Sequence, residues 1–200
     1  YLGEQLSRMP EMASDTIPEI EVAESVPLLD SSDITPSHWE RIARNIQGHQ
    51  DFDGFVVLHG TDTMAYTASA LSFMLEGLAR PVIVTGSQIP LSEPRSDARD
   101  NLIDALTIAG HHEVVIPEVA LLFNGLLLRG NRATKTSADG LDAFESPNYR
   151  PLGRGGIQLT LHKNRIREVA PGGLRVAQLE AVHVAALRLF PGIEPRVLSE

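Results

Sequence analysis

Gly54-Phe-Val-Val-Leu-His59, the stretch from Met64 to Leu78, and Arg80-Pro-Val-Ile-Val-Thr85 together decide the fold class of this chain. The first is a short, continuously apolar run, the pattern of a strand buried on both faces. From Met64 to Leu78 the apolar positions Ala65, Ala68, Leu71, Met74, Leu75 and Leu78 wrap around a helix, which must therefore be packed on most of its surface. The third run is a second buried strand. Strand, helix and strand in that order predict a parallel sheet covered by helices on both faces. Downstream, Leu102, Ile103, Ala105, Leu106 and Ala109 give a helix over about 96–109. Glu118-Val-Ala-Leu-Leu-Phe123 and Leu126-Leu-Leu-Arg129 flank Asn124-Gly125, a strong signal for a two-residue hairpin. Upstream, Thr35 followed by Pro36 opens a helix that Trp39, Ile42, Ala43 and Ile46 carry to about Gln47. The alternation at Ile17, Ile20 and Val22 predicts a further strand within 16–26.

The expected architecture is α/β, an open and largely parallel sheet, plus the start of a second, smaller α/β domain. After Gly153 the chain becomes basic and turn-rich. Residues 1–160 read as the first domain and 161–182 as a linker. Residues 183–200 read as the beginning of another domain, with Val182–Leu189 as its strand.

Composition narrows the function classes. The net charge is −9, from 26 acidic and 17 basic residues, with no Lys/Arg cluster, so nucleic acid is excluded as a partner. The longest apolar stretch, Val114 to Leu128, is broken by Pro117, Glu118, Asn124 and Gly125, so no membrane span is expected. With no cysteine, disulfides and thiol chemistry are excluded. His111-His112 is the only histidine pair, and adjacent residues do not share a helical face, so no metal site is expected.

Ligands of open parallel sheets bind where loops converge at the carboxyl ends of strands. Two such loops are rich in hydroxyls and carry a glycine: His59-Gly-Thr-Asp-Thr-Met64 and Thr85-Gly-Ser-Gln-Ile-Pro90. Neither has a phosphate-binding pattern, and Asp62 opposes phosphate while suiting a substrate ammonium. Arg132-Ala-Thr-Lys-Thr-Ser-Ala138 adds a lysine. A desolvated lysine loses proton affinity and can serve as base to a neighbouring hydroxyl. Thr61, Asp62 and Lys135 supply the parts. The same residues serve equally well as a helix cap (Thr61 or Thr63) and a solvated loop charge (Lys135), and spacing alone does not choose.

Longer motifs resemble one family. His59-Gly-Thr-Asp-Thr-Met-Ala-Tyr-Thr-Ala-Ser-Ala-Leu-Ser-Phe-Met74 is similar to the second signature of the L-asparaginase/glutaminase family. So are Pro81-Val-Ile-Val-Thr-Gly-Ser-Gln-Ile-Pro-Leu91, with Arg95-Ser-Asp97 and Asn101-Leu102 following, and the lysine-bearing segments Gly130–Lys135 and Ala138–Asn148. Leu29-Asp-Ser-Ser-Asp-Ile-Thr-Pro36 resembles the substrate loop of the bacterial cytoplasmic (type I) branch. The resemblance implies hydrolysis of L-asparagine to aspartate and ammonia, without metal or cofactor. It implies that Ser31, with Asp30 and Ser32, holds the substrate carboxylate, and that Asp62 takes the ammonium. Thr61 would sit by the scissile amide, made reactive by Lys135, and Ser87 would offer a backbone contact to the leaving amide. It also implies a cytoplasmic homodimer or homotetramer and, in some members, a second asparagine site near Thr134.

The family's first signature, Thr-Gly-Gly-Thr, is absent: no threonine precedes a Gly-Gly pair. The chain is therefore expected to be a piece lacking the first strand and flap, and inactive by itself. Two alternatives remain: the asparaginase-like subunit of the archaeal tRNA-dependent amidotransferase, and a non-catalytic amino-acid sensor. His59 is expected to be a packed strand-end residue and Trp39 a core anchor. Arg165 to Arg175 are expected to be a solvated linker, and Arg95, Asp97 and Arg99 a local salt-bridge patch.

Overall fold

β1 (Phe55–Leu58) and β3 (Val82–Thr85) form where the apolar runs predict strands and pair in parallel, Phe55 opposite Val82 and Leu58 opposite Thr85. β3 is buried as expected, whereas β1, at the edge of the described sheet, is only half-buried and Leu58 is exposed. In the computed structural model, residues 2–110, 113–155, 158–180, 184, 186–194 and 196 are described. A short helix α1 (Leu2–Ser7) opens the chain, and α2 (Pro36–Gly48) precedes β1. Proline at the first helical turn needs no N–H partner there, and the His38 ring accepts the Thr35 N–H at 3.0 Å to close that end.

α3 (Met64–Met74) connects β1 to β3, and α4 (Ala98–Ala109) connects β3 to β4 (Val119–Phe123). β3 and β4 are again parallel. From there the sheet turns antiparallel through β5 (Leu126–Arg129), β8 (Gly153–Arg154) and β9 (Thr160–Leu161), in the order β1-β3-β4-β5-β8-β9. The sheet is thus mixed, parallel at the β1–β3–β4 side where the helices cross and antiparallel beyond it. Asn124 and Gly125 both take positive φ, 46° and 68°, the turn whose twist suits a two-residue hairpin.

Alternate residues of the central strands face opposite layers. Val82, Val84, Leu121 and Phe123 pack with α2 and α3, whereas Ile83, Ala120 and Leu122 pack with α4. Leu121 and Leu122 are fully buried, each contributing on the order of 1.5–3 kcal/mol. Beside the sheet, half-buried Arg129 pairs with buried Glu118 at 2.5 Å. The Arg129 guanidinium lies 4.2 Å from the Tyr149 ring centre and donates to the Arg165 carbonyl. Glu118 also accepts the Arg167 N–H, at 3.0 Å.

Four expectations change. Residues 16–26 form no strand: Ile17 and Ile20 instead pack without strand pairing on Leu6, Met9, Leu102 and Leu106. The α3 helix stops at Met74, not Leu78. Leu75–Glu76 become β2, paired antiparallel with β10 (Arg175–Val176), and Gly77 turns with φ 71°. A Cβ at Gly77 would lie 2.2 Å from the Gly173 carbonyl oxygen, so helix and side chain are both excluded there. The stretch Arg165 to Arg175 is exposed over 167–173, as a solvated segment should be, but it is pinned at both ends, through Arg129, Pro151 and β2. Of the strand expected over Val182–Leu189, Val184 and Ala186–Leu189 are irregular, and residues 182, 183 and 185 lie outside the described residues, as do His111 and His112. No helix among the described residues is long and apolar enough to cross a membrane.

Candidate active site

The parallel pairing of β1 and β3 releases two loops side by side. The His59 N–H donates to the Thr85 carbonyl at 2.8 Å, and the next residues separate around Gly60 and Gly86. Both glycines are dictated by contact. A Cβ at Gly86 would stand 2.0 Å from the His59 carbonyl oxygen, and one at Gly60 would stand 2.5 Å from the Ser31 hydroxyl. Behind them, Gly130 lets the chain after β5 run against α3, where a Cβ would meet the Ser72 hydroxyl at 2.7 Å. That path leads to β6 (Thr134–Lys135), held by β7 (Phe144–Glu145), with Lys135 opposite Phe144.

Three predicted residues converge there. The Lys135 ammonium donates to the Thr61 hydroxyl at 2.9 Å and to Asp62 Oδ1 at 2.8 Å. The lysine side chain is 19% exposed, whereas Asp62 is 68% exposed. The cation is therefore fixed from within, and the carboxylate still presents lone pairs outward, where an incoming ammonium can reach them. A cavity of roughly 610 Å³ lies beside the pair, lined by the polar residues Asp62, Ser69 and Lys135 together with the apolar surface of Ala65, Ala133 and Ala138. Among the described residues no group of three or more His, Cys, Asp or Glu side chains could hold a metal ion.

Ser31 reaches the same loop by its backbone: its carbonyl accepts the Thr63 hydroxyl at 2.6 Å, and its side chain rests against Gly60. Asp30 and Ser32 are exposed and bonded to one another, Asp30 accepting both the Ser32 N–H and hydroxyl. Those bonds hold the Asp30 carboxyl below its ordinary pKa. Ser87 is half-buried on the second loop.

Sequence reasoning missed what braces this site. The Thr61 hydroxyl donates to Gln88 Oε1 at 2.8 Å, and the Gln88 amide nitrogen donates to the Ala138 and Gly140 carbonyls. Asp97 accepts the backbone N–H groups of Gln88 and Ile89 at 3.1 and 2.9 Å, and the amide of buried Asn101 at 3.2 Å. Asp97 therefore does not pair with Arg95 or Arg99 as expected: Arg99 reaches Glu11 instead, and Arg95 sits at φ 66°. Asp97 falls four residues before Asn101, one helical turn, and that spacing beside a hydroxyl-rich loop was the available signal. His59 accepts or shares a proton with Thr67 at 2.8 Å, and Trp39 donates to the same hydroxyl, joining α2, α3 and the loop. Burial depresses the His59 pKa, opposed in part by its bond to the Gly60 carbonyl.

A family model described as asparaginase, N-terminal, matches residues 3–167. The chain belongs to the asparaginase family. This asparaginase-family chain is 50% identical over 199 residues to L-asparaginase 1 of Escherichia coli strain K12, covering 99% of the chain and 58% of that relative. It is 49% identical over 174 residues to a human 60 kDa lysophospholipase, covering 86% of the chain and 30% of that protein. The crystal structure of L-asparaginase I from Vibrio cholerae superimposes with a TM-score of 0.90 at 46% identity, over 99% of the chain and 60% of that structure. A glutamyl-tRNA(Gln) amidotransferase subunit of Methanopyrus kandleri is more distant, 33% identical over 98% of the chain and 45% of its own length. The chain thus spans about three-fifths of the length of these two asparaginases.

Proposed function

We propose that this site hydrolyses the side-chain amide of L-asparagine to aspartate and ammonia. The observation that carries the reading is the Lys135 ammonium bridging the Thr61 hydroxyl and the Asp62 carboxylate at 2.9 and 2.8 Å. A hydroxyl next to an amine can pass its proton to it once that amine is neutral, and the amine can return the proton to the departing nitrogen. Thr61 and Lys135 are that relay. Asp62 takes the substrate ammonium on its outward face, and Ser31, flanked by Asp30 and Ser32, takes the carboxylate. Ser87 contributes backbone polarity to the leaving amide. In net terms, amide and water give carboxylate and ammonium, with no electron transfer and no cofactor.

The Lys135 and Asp62 charges beside the cavity suit a small zwitterion, whose ammonium and carboxylate each need a polar partner. No observation at the site favours the amidotransferase-subunit or sensor readings. We also propose a cytoplasmic homodimer or homotetramer, and residues 1–160 as the catalytic domain with 161–182 as its connecting segment. Ammonia release from L-asparagine and L-glutamine, and fatty-acid release from a lysophospholipid, each measured on the full-length protein, test the reading. Release from asparagine is expected. Hydrolysis of the lysophospholipid alone, or binding of asparagine without turnover, would overturn it.

A further inference from the structure

The Gln88 side chain hydrogen-bonds to Thr61, Ala138 and Gly140, so three loops meet on it. We propose that Gln88 is a positioning residue, which aims the Thr61 hydroxyl and clamps the segment after Lys135 onto the site. This rests on the proposed role of Thr61 and Lys135.

A threonine hydroxyl has one proton and two lone pairs. At Thr61 the proton goes to Gln88 Oε1 at 2.8 Å, and one lone pair takes the Lys135 N–H at 2.9 Å. The remaining lone pair is thereby held in one direction. The orientation of the Gln88 amide is itself determined. Its nitrogen faces two carbonyl oxygens, Ala138 at 3.1 Å and Gly140 at 3.0 Å, and a flipped amide would set oxygen against oxygen at both. The backbone cannot drift either, because Asp97 holds the N–H groups of residues 88 and 89. Gln88 thus connects the loop after β1, the loop after β3 and the turn at 137–140 that follows Lys135. The resting arrangement points the Thr61 proton away from Lys135, so the hydroxyl must turn from Gln88 to Lys135 before transfer. Gln88 fixes where that rotation starts, and the clamp keeps Lys135 at its end point.

Two variants of the full-length protein separate the parts. Gln88→Met removes acceptor and donors at similar size. Gln88→Glu keeps an acceptor for Thr61, removes both donors and sets a negative charge near Lys135. Both should speed amide hydrogen exchange across 136–140 by about tenfold or more, a readout that needs no catalysis. In Gln88→Met, kcat should fall about tenfold or more while KM stays within about twofold, because no substrate contact is removed. In Gln88→Glu, the ascending limb of the kcat–pH profile should move up by about one pH unit, since an added anion favours the lysine ammonium. Unchanged exchange at 136–140 would overturn the clamp, even if the asparaginase reading stands. Faster exchange with unchanged kcat, or a raised KM with unchanged kcat, would overturn the positioning role. If Gln88→Met fails to fold, the exchange and pH profile of Gln88→Glu decide alone.

Discussion

Gly60→Ala is the smallest change that tests how the Ser31 turn, the proposed carboxylate site, is seated. The added methyl carbon would stand 2.5 Å from Ser31 Oγ and 2.8 Å from Ser31 Cβ, with the Ser31 backbone nitrogen at 3.8 Å. Rotating the serine side chain relieves the first contact and leaves the second, because Cβ does not move with χ1. Reaching the 3.4 Å lower limit of ordinary contact from 2.8 Å requires about 0.6 Å of backbone movement. The turn is restrained against it by the 2.6 Å bond from the Thr63 hydroxyl to the Ser31 carbonyl. Overpacking of this kind costs about 1–3 kcal/mol. Since the displaced residue is the proposed carboxylate ligand, roughly 1.4 kcal/mol of that should appear as a tenfold higher KM for asparagine. The remainder should appear as a lower Tm. Steady-state kinetics and thermal unfolding of the full-length variant read both. A KM within twofold of wild type together with an unchanged Tm would refute the packing of Ser31 against this loop.

Three further outcomes follow from the geometry. The His59 pKa is lowered in the fold from 6.5, so the folded state binds fewer protons there than the unfolded chain. Its contribution is complete above about pH 6.5 and is lost as pH falls through the depressed value. Unfolding measured across pH 4–8 should show that slope, and His59→Gln should flatten it. Glu118→Gln leaves the half-buried Arg129 cation without its counter-charge and should cost about 3–5 kcal/mol by denaturant unfolding; a loss under about 1 kcal/mol would show the pair is hydrated. Asp62→Asn removes the proposed partner of the substrate ammonium and should raise KM by an amount equivalent to about 2–5 kcal/mol, checked by kinetics.

How much was legible depends on where each cause lies. β1, β3 and the β4–β5 hairpin were readable because their signals are local: unbroken apolar runs and an Asn-Gly turn. The α3 end was not, because the strand that terminates it, Arg175–Val176, lies about a hundred residues later, and helical spacing at Leu75 and Leu78 carries no trace of it. The alternation at Ile17 and Ile20 misled because a period of two needs a neighbouring strand, and these residues meet α4 instead. At the site, the residue types of Thr61, Asp62 and Lys135 left a helix cap and a solvated loop charge equally open, and it was the longer motifs around them that singled them out. Gln88 and Asp97 are ordinary polar residues whose roles arise only from loop closure, as the bonds to Ala138, Gly140 and the 88–89 backbone show.

Thr61, set against Lys135, is proposed as part of the machinery that breaks the amide. Thr61→Val keeps nearly the same volume and deletes the hydroxyl that bonds Gln88 and Lys135. Asparagine-dependent ammonia release by full-length Thr61→Val, compared with wild type at saturating substrate, is the direct measurement. In this variant kcat should fall by a factor on the order of 10² or more while the protein stays folded. A folded Thr61→Val enzyme releasing ammonia at a rate near wild type would contradict that role.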